Sequence, residues 1–190
     1  MTAVFIANRG EIALRIVRTC RDLGLQSIVG YSAADLLTPA VRLADTSVCI
    51  GDAPARASYL NIESIIRAAT SSGATMVHPG CGFLAENADF AEAVAQAGLT
   101  FIGPTPAAMR DLGDKRKARE LADRAGLPIV PGVVLKNEKL PSASDLKRIG
   151  LPLLVKAAHG GGGRGMRIVR TLNDLEEATT QARRESSAAF

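Results

Sequence analysis

Residues Val4-Phe5-Ile6-Ala7-Asn8-Arg9-Gly10-Glu11-Ile12-Ala13 decide how the first half of the chain is read. Val4, Phe5 and Ile6 make an unbroken apolar run, the pattern of a strand buried on both faces. Past Gly10, the apolar positions Ile12, Ile16, Cys20 and Leu23 recur at helical spacing. The alternation then repeats. Ser27-Ile28-Val29 reads as a second strand and Ser47-Val48-Cys49-Ile50 as a third. Residues 59–69 place Leu60, Ile62, Ile65 and Ile66 on a helix. Thr75-Met76-Val77 is a fourth strand; Phe90, Ala91, Val94 and Ala97 make the next helical face, and Thr100-Phe101-Ile102 is a fifth strand. Strand and helix in turn build a parallel sheet covered on both sides. A doubly wound α/β domain is expected over residues 1–103.

Gly103-Pro104 and Thr105-Pro106 punctuate the end of that domain. A helical connector is expected over residues 104–127, with Gly126, Pro128, Pro131 and Gly132 closing its helix. Residues 128–190 have a different rhythm. A strand at Val133-Val134-Leu135, a helix at Ala143–Ile149, a strand at residues 153–157, a glycine run, a strand at Met166–Val169 and a helix from Leu172 follow in order. The glycine run joins two of these strands directly, so they should pair as a hairpin within an α+β subdomain. The last helix runs to Phe190 without a Gly, Asn or Pro stop. Three strands and two helices bury little core, so this subdomain is expected to be part of a larger one, with the apolar side of its last helix (Leu175, Ala178, Ala182) left exposed.

Composition excludes several classes of function. In 190 residues, 47% are hydrophobic and 22% charged, as in a globular α/β protein. No apolar run approaches the roughly 18 residues of a membrane span, and the start has no basic stretch leading into a long apolar core. Cys20, Cys49 and Cys81 are widely spaced, with only two histidines for company, so neither a zinc site nor a disulfide framework is expected. A reducing cytoplasm fits such thiols. The net charge of +4 is modest, and its densest basic stretch, Lys115, Arg116, Lys117 and Arg119, is interleaved with Asp114, Glu120 and Asp123. Mixed signs on a helix mark a solvated face, and a chain without Trp has little with which to stack bases. Nucleic acid and membrane are not expected partners.

Lys156-Ala157-Ala158-His159-Gly160-Gly161-Gly162-Gly163-Arg164-Gly165-Met166 carries the strongest chemical signal. Consecutive glycines let backbone N–H groups converge on one concavity without β-carbon clashes, and so wrap phosphate oxygens. Lys156 and Arg164 add a cation at either side. A dinucleotide fingerprint would open a helix, whereas this run opens a strand. A Walker loop needs Gly-Lys-Ser/Thr, and a kinase loop has its lysine downstream with catalytic motifs absent here. A flexible linker is the bland reading, but linkers rarely sit between two apolar strands with a lysine at the mouth.

Two other stretches follow strands on the edge where open α/β sheets take ligands. Asn8-Arg9-Gly10-Glu11 lacks the further fingerprint glycines, so Asn8 and Glu11 read as helix-start residues, with the carboxylate near the positive dipole end. Glu11 with Arg15, and Arg18 with Asp22, are spaced to pair along the helix. His78-Pro79-Gly80-Cys81-Gly82 reads first as a rigid turn.

The blocks from Ile6 to Ala13, from His78 to Asn87, Phe101-Ile102-Gly103-Pro104, Gly113-Asp114-Lys115 and Lys156 to Met166 together resemble biotin carboxylases of the ATP-grasp fold, in family order and spacing across the chain. The resemblance implies an ATP- and bicarbonate-dependent ligase that carboxylates biotin on a carrier domain and works with a carboxyltransferase subunit or domain. It implies that Lys115, Lys156, Gly161, Gly162, Gly163, Arg164 and Met166 meet ATP, and that His78, Cys81 and Gly82 border the biotin and bicarbonate pocket. It further implies a homodimer of the full-length enzyme, with the positions of Arg18 and Asp22 at its contact. Magnesium ligands and catalytic residues of the family have no counterpart in these 190 residues, so the chain alone is expected to be inactive. Cys81 stands where the family usually has tyrosine. Among other ATP-grasp ligases, the large subunit of carbamoyl-phosphate synthase fits less well, because the Asn-Arg-Gly-Glu and His-Pro-Gly-Cys-Gly-Phe-Leu blocks argue against it. An assembly module without turnover is the remaining alternative.

Overall fold

A computed structural model describes residues 2–135, 139–156 and 166–189. Contacts divide the chain into a unit of residues 1–110 and a unit of residues 111–190. The fold class is that expected, a doubly wound α/β unit followed by a smaller α+β unit.

In the first unit, strands β1 (Ala3–Ile6), β2 (Gln26–Ser32), β3 (Thr46–Gly51), β4 (Met76–His78) and β5 (Thr100–Phe101) form one sheet in the order β3-β2-β1-β4-β5. All four pairings are parallel. Helices α1 (Gly10–Asp22), α2 (Pro39–Leu43), α3 (Ile62–Ser71) and α4 (Ala88–Gln96) cover it. The strand period of two sorts the apolar residues into two cores. Ala3, Phe5, Ile28 and Val77 pack with Ile65, Ala68 and Ala69 of α3 and Phe90 and Val94 of α4. Val4, Ile6 and Val29 pack with Ala13, Ile16, Val17 and Cys20 of α1 and Ala40 of α2. Every residue of the central strand β1 is buried, which is why its sequence is apolar throughout. Each such Val, Ile or Phe gains about 1.5–3 kcal/mol over leaving it in water.

Three local readings need correction. Helix α3 begins at Ile62, after a 3-10 turn at Ala55–Ala57, because Asn61 caps it by accepting from Ser64 N–H at 3.0 Å. Tyr59 is instead buried, its hydroxyl accepting from Ser32 N–H at 3.0 Å. Asn8 does not cap α1; Arg9 holds that position without any side-chain cap. Neither Glu11–Arg15 nor Arg18–Asp22 closes among the ion pairs of the described residues, whereas Arg9 lies 3.8 Å from Asp35.

In the second unit, helix α6 (Lys115–Arg124) follows α5 (Pro106–Gly113), which crosses the division between units. Helix α7 (Ala143–Ile149) starts at Ser142, which accepts from Asp145 N–H. Strands β6 (Leu153–Lys156) and β7 (Met166–Val169) pair antiparallel, as the hairpin reading expects, and α8 (Leu175–Ala189) packs on them. The strand expected at Val133-Val134-Leu135 does not form. No described strand pairs with it, and Val133 and Val134 stay exposed; β-branched residues alone gain no ladder hydrogen bonds. The apolar side of α8 is not bare either. Leu175, Ala178 and Ala182 are all buried, the first two with Val169 against Leu146, Leu153 and Val155. The expected extension of β6 to Ala157 lies outside the described residues.

Candidate functional site

The hairpin of the second unit presents one covered and one open face. Residues Leu153, Val155, Arg167 and Val169 alternate with Leu154, Lys156, Met166 and Ile168. The first set turns toward α8, where Val169 is fully buried and Arg167 pairs with Glu185. The second set is exposed: Leu154 by 52%, Met166 by 42% and Ile168 by 62%. Register puts Lys156 opposite Met166 and Leu154 opposite Ile168. Three apolar side chains thus form a small platform, with the exposed Lys156 at the end where the strands enter the glycine run. An apolar wall with a cation at its rim suits a purine over the wall and phosphates beyond it. Gly161, Gly162, Gly163 and Arg164 lie outside the described residues. Leu154 and Ile168 were not among the residues singled out by sequence; period-two alternation on either side of Lys156 and Met166 would have found them.

Lys115 belongs to the same unit but to another element, the first position of α6. Asp114 caps this helix, its carboxylate accepting from Arg116 N–H at 2.8 Å and pairing with the Arg116 guanidinium at 3.0 Å. Those Arg116 contacts hold the Asp114 carboxyl well below the usual carboxylate range. Lys115, the lysine that the resemblance marks, is exposed on the helix.

The other candidate residues lie in the first unit, at the carboxyl ends of β1, β2 and β4. The strand order reverses between β1 and β4, the place where open sheets leave a crevice. Here Asn8 fills it. The side chain is 2% exposed, and its amide donates to Pro79 O at 2.8 Å and to Cys81 O at 3.0 Å. Asn8 Oδ1 accepts from Arg9 N–H at 2.9 Å. His78 is half-buried and neutral at ordinary pH, since burial pushes its imidazole below the usual value, and its Nδ1 accepts from Gly80 N–H at 3.0 Å. Gly80 has φ of 70°, and a β-carbon there would stand 2.6 Å from the Asn8 amide nitrogen. That position therefore demands glycine twice over. Cys81 is exposed on the turn and Gly82 follows at φ of 73°.

Beside this turn, Phe83 takes φ of 45° and stacks on Tyr59 at 5.0 Å between ring centroids. The Arg9 guanidinium lies 5.7 Å from the Tyr59 ring and 5.5 Å from the Phe83 ring. Asp35 accepts from Ser32 Oγ at 2.6 Å and from the Tyr59 hydroxyl at 2.9 Å. Burial pushes the Tyr59 phenol up to about 12, so it stays a donor. Sequence reasoning gave Arg9, Asp35, Tyr59 and Phe83 no role; none has a local pattern that marks it, because the four meet only when the sheet is assembled.

Comparison with known proteins bears on the family of the chain. The family model of the biotin carboxylase N-terminal domain matches residues 1–109, and that of the carbamoyl-phosphate synthase L chain, ATP binding domain, matches residues 114–190. Biotin carboxylase of Haemophilus influenzae is 51% identical over 98% of the chain, which spans 42% of that relative. A Campylobacter jejuni biotin carboxylase–β,γ-ATP complex superposes with a TM-score of 0.88 at 45% identity, over 100% of this chain and 43% of the other. The biotin carboxylase domain dimer of Hydrogenobacter thermophilus 2-oxoglutarate carboxylase, in complex with MgADP, ADP and bicarbonate, gives 0.86 at 41% identity, over 100% and 42%. The chain thus spans under half the length of these relatives.

Proposed function

The chain belongs to the biotin carboxylase family, and from that premise we propose that it supplies the amino-terminal part of an enzyme that carboxylates carrier-bound biotin with ATP and bicarbonate. The open face of the hairpin is the observation that carries the reading. Leu154, Met166 and Ile168 give an apolar seat for a purine, and Lys156 stands where phosphates would emerge. Gly161, Gly162 and Gly163 would add backbone N–H donors, with Lys115 and Arg164 as further cations; such groups stabilise a transferring phosphoryl group by electrostatics and positioning. Among the described residues no group of three His, Cys, Asp or Glu could hold a metal.

His78, Cys81 and Gly82 border the biotin and bicarbonate pocket in this reading. The fixed turn on which they sit supports it, since a substrate-facing loop must be held still. Residues 1–103, 104–127 and 128–190 then act as the doubly wound domain, the connector and the ATP-grasp part. A carboxyl carrier domain, a carboxyltransferase and a second copy of the full-length chain are the partners that go with this function. No helix of the described residues is long and apolar enough to cross a membrane.

The test is ADP release by the chain extended to the full length of its relatives. Release that requires both bicarbonate and biotin, and that Lys156→Ala reduces, supports the proposal. Release indifferent to both, or no release, refutes it. The 190-residue chain alone should give no carboxybiotin above a protein-free control.

A further inference from the structure

The turn after β4 holds several backbone conformations that side chains disfavour, and it is restrained from outside at both ends. Gly80 and Gly82 have φ of 70° and 73°, and Phe83 has φ of 45° without being glycine. Phe83 is held by the Tyr59 ring and the Arg9 guanidinium, which Asp35 in turn anchors. At the other end, Asn8 directs its side chain at the backbone: both amide hydrogens go to Pro79 O and Cys81 O, and Oδ1 accepts from Arg9 N–H. It reaches them across more than seventy residues of sequence, and it is 2% exposed. The missing β-carbon of Gly80 is what leaves room for it. A residue whose purpose was to start α1 would bond the first N–H groups of that helix, and α1 has no side-chain cap.

We propose that Asn8 is a positioning residue that fixes the backbone of residues 79–82 and thereby sets where Cys81 and Gly82 meet the substrate. The identity of that substrate rests on the proposed function above; the positioning does not. An asparagine suits the task because only an amide offers two hydrogens in one plane beside an acceptor. Asn8→Asp keeps the shape but sets a carboxylate against two carbonyl oxygens, so it should be at least as disruptive as Asn8→Ala.

Amide hydrogen exchange on the 190-residue chain tests the positioning. In Asn8→Ala, the Gly80 and Ala85 amides, which donate to His78 Nδ1 and Gly82 O, should exchange faster by roughly tenfold, a loss of about 1.4 kcal/mol of local protection. Phe5 and Val77 amides should keep their rates. Unchanged turn amides, or an equal acceleration at Phe5 and Val77, would overturn the proposal. If Asn8→Ala does not fold, Gly80→Ala pushes on the same contact with Asn8 intact, and the same local acceleration is expected; its absence counts against the role equally. In the extended chain, Asn8→Ala should raise the KM for biotin about tenfold and leave that for ATP within about twofold. Equal changes in both constants would reduce Asn8 to a structural residue. The unsubstituted extended chain reports separately on the functional reading: without bicarbonate- and biotin-dependent ADP release that reading falls, while the exchange result still decides the positioning.

Discussion

His78 shows how one half-buried side chain ties a loop to pH. Its Nδ1 accepts from Gly80 N–H, which only the neutral ring can do, and burial holds the folded pKa below the ordinary 6.5. The unfolded chain therefore takes up the proton first as the medium acidifies. The stabilisation is whole above the unfolded value and is lost as pH falls through the folded one. His78→Asn, whose side-chain oxygen can replace Nδ1, should flatten this part of the stability profile as pH falls through about 6.5 and below; an unchanged slope in thermal melts would clear His78 of the effect. Gly51 is a position that demands glycine, as Gly80 does. Its φ is 142° and a β-carbon would stand 2.0 Å from Ala57 O. Gly51→Ala should cost at least about 1–3 kcal/mol from the backbone conformation alone, read by denaturant unfolding. Cys81→Tyr addresses the proposed pocket. In the extended chain it should lower the KM for biotin and leave that for ATP nearly unchanged, since a ring supplies the flat surface a thiol lacks; equal effects would make the turn a scaffold only.

Among elements, the hairpin and α8 depend on each other. Leu175 is 4% exposed and meets Val169 and its neighbours. Leu175→Ala should destabilise this unit by about 2–5 kcal/mol, seen as faster exchange in β6 and β7 with β1 unaffected; equal protection would mean that α8 does not hold the sheet. The strands and the hairpin were legible in the sequence because apolar periodicity is local: β7 was read at its observed bounds, and β6 to within the described residues. The strand at residues 133–135 was misread because β propensity is realised only with a partner, and none of the described strands supplies one. The start of α3 was misread because Tyr59 and Leu60 continue the helical pattern, while the Asn61 cap decides where the helix begins. Of the candidate sites, Lys156 and Met166 were legible from the glycine run between them. Asn8 was noticed but given the wrong task, because its partners Pro79 and Cys81 lie in a loop that only the parallel pairing of β1 and β4 brings near.

On the scale of the whole molecule, the chain combines a unit with two packed cores and a unit with one small core. Domains below roughly 70–80 residues seldom gain more than about 3–5 kcal/mol from a single core, so the second unit should open more readily. Amides of Leu154 and Ile168 are expected to exchange well before those of Val4 and Ile6; equal rates would show the small unit to be as stable as the large one. In the proposed function, nucleotide is met by the hairpin of the second unit and not by the switch point of the doubly wound sheet, where Asn8 ties β1 to the turn after β4. A titration of the isotope-labelled chain with MgATP, followed residue by residue by NMR, tests it most directly. Shifts are expected at Leu154, Lys156, Met166, Ile168 and Lys115, lost in Lys156→Ala, with Asn8, Arg9 and His78 unmoved. Shifts concentrated at Asn8, Arg9 and His78, and unchanged by Lys156→Ala, would contradict it.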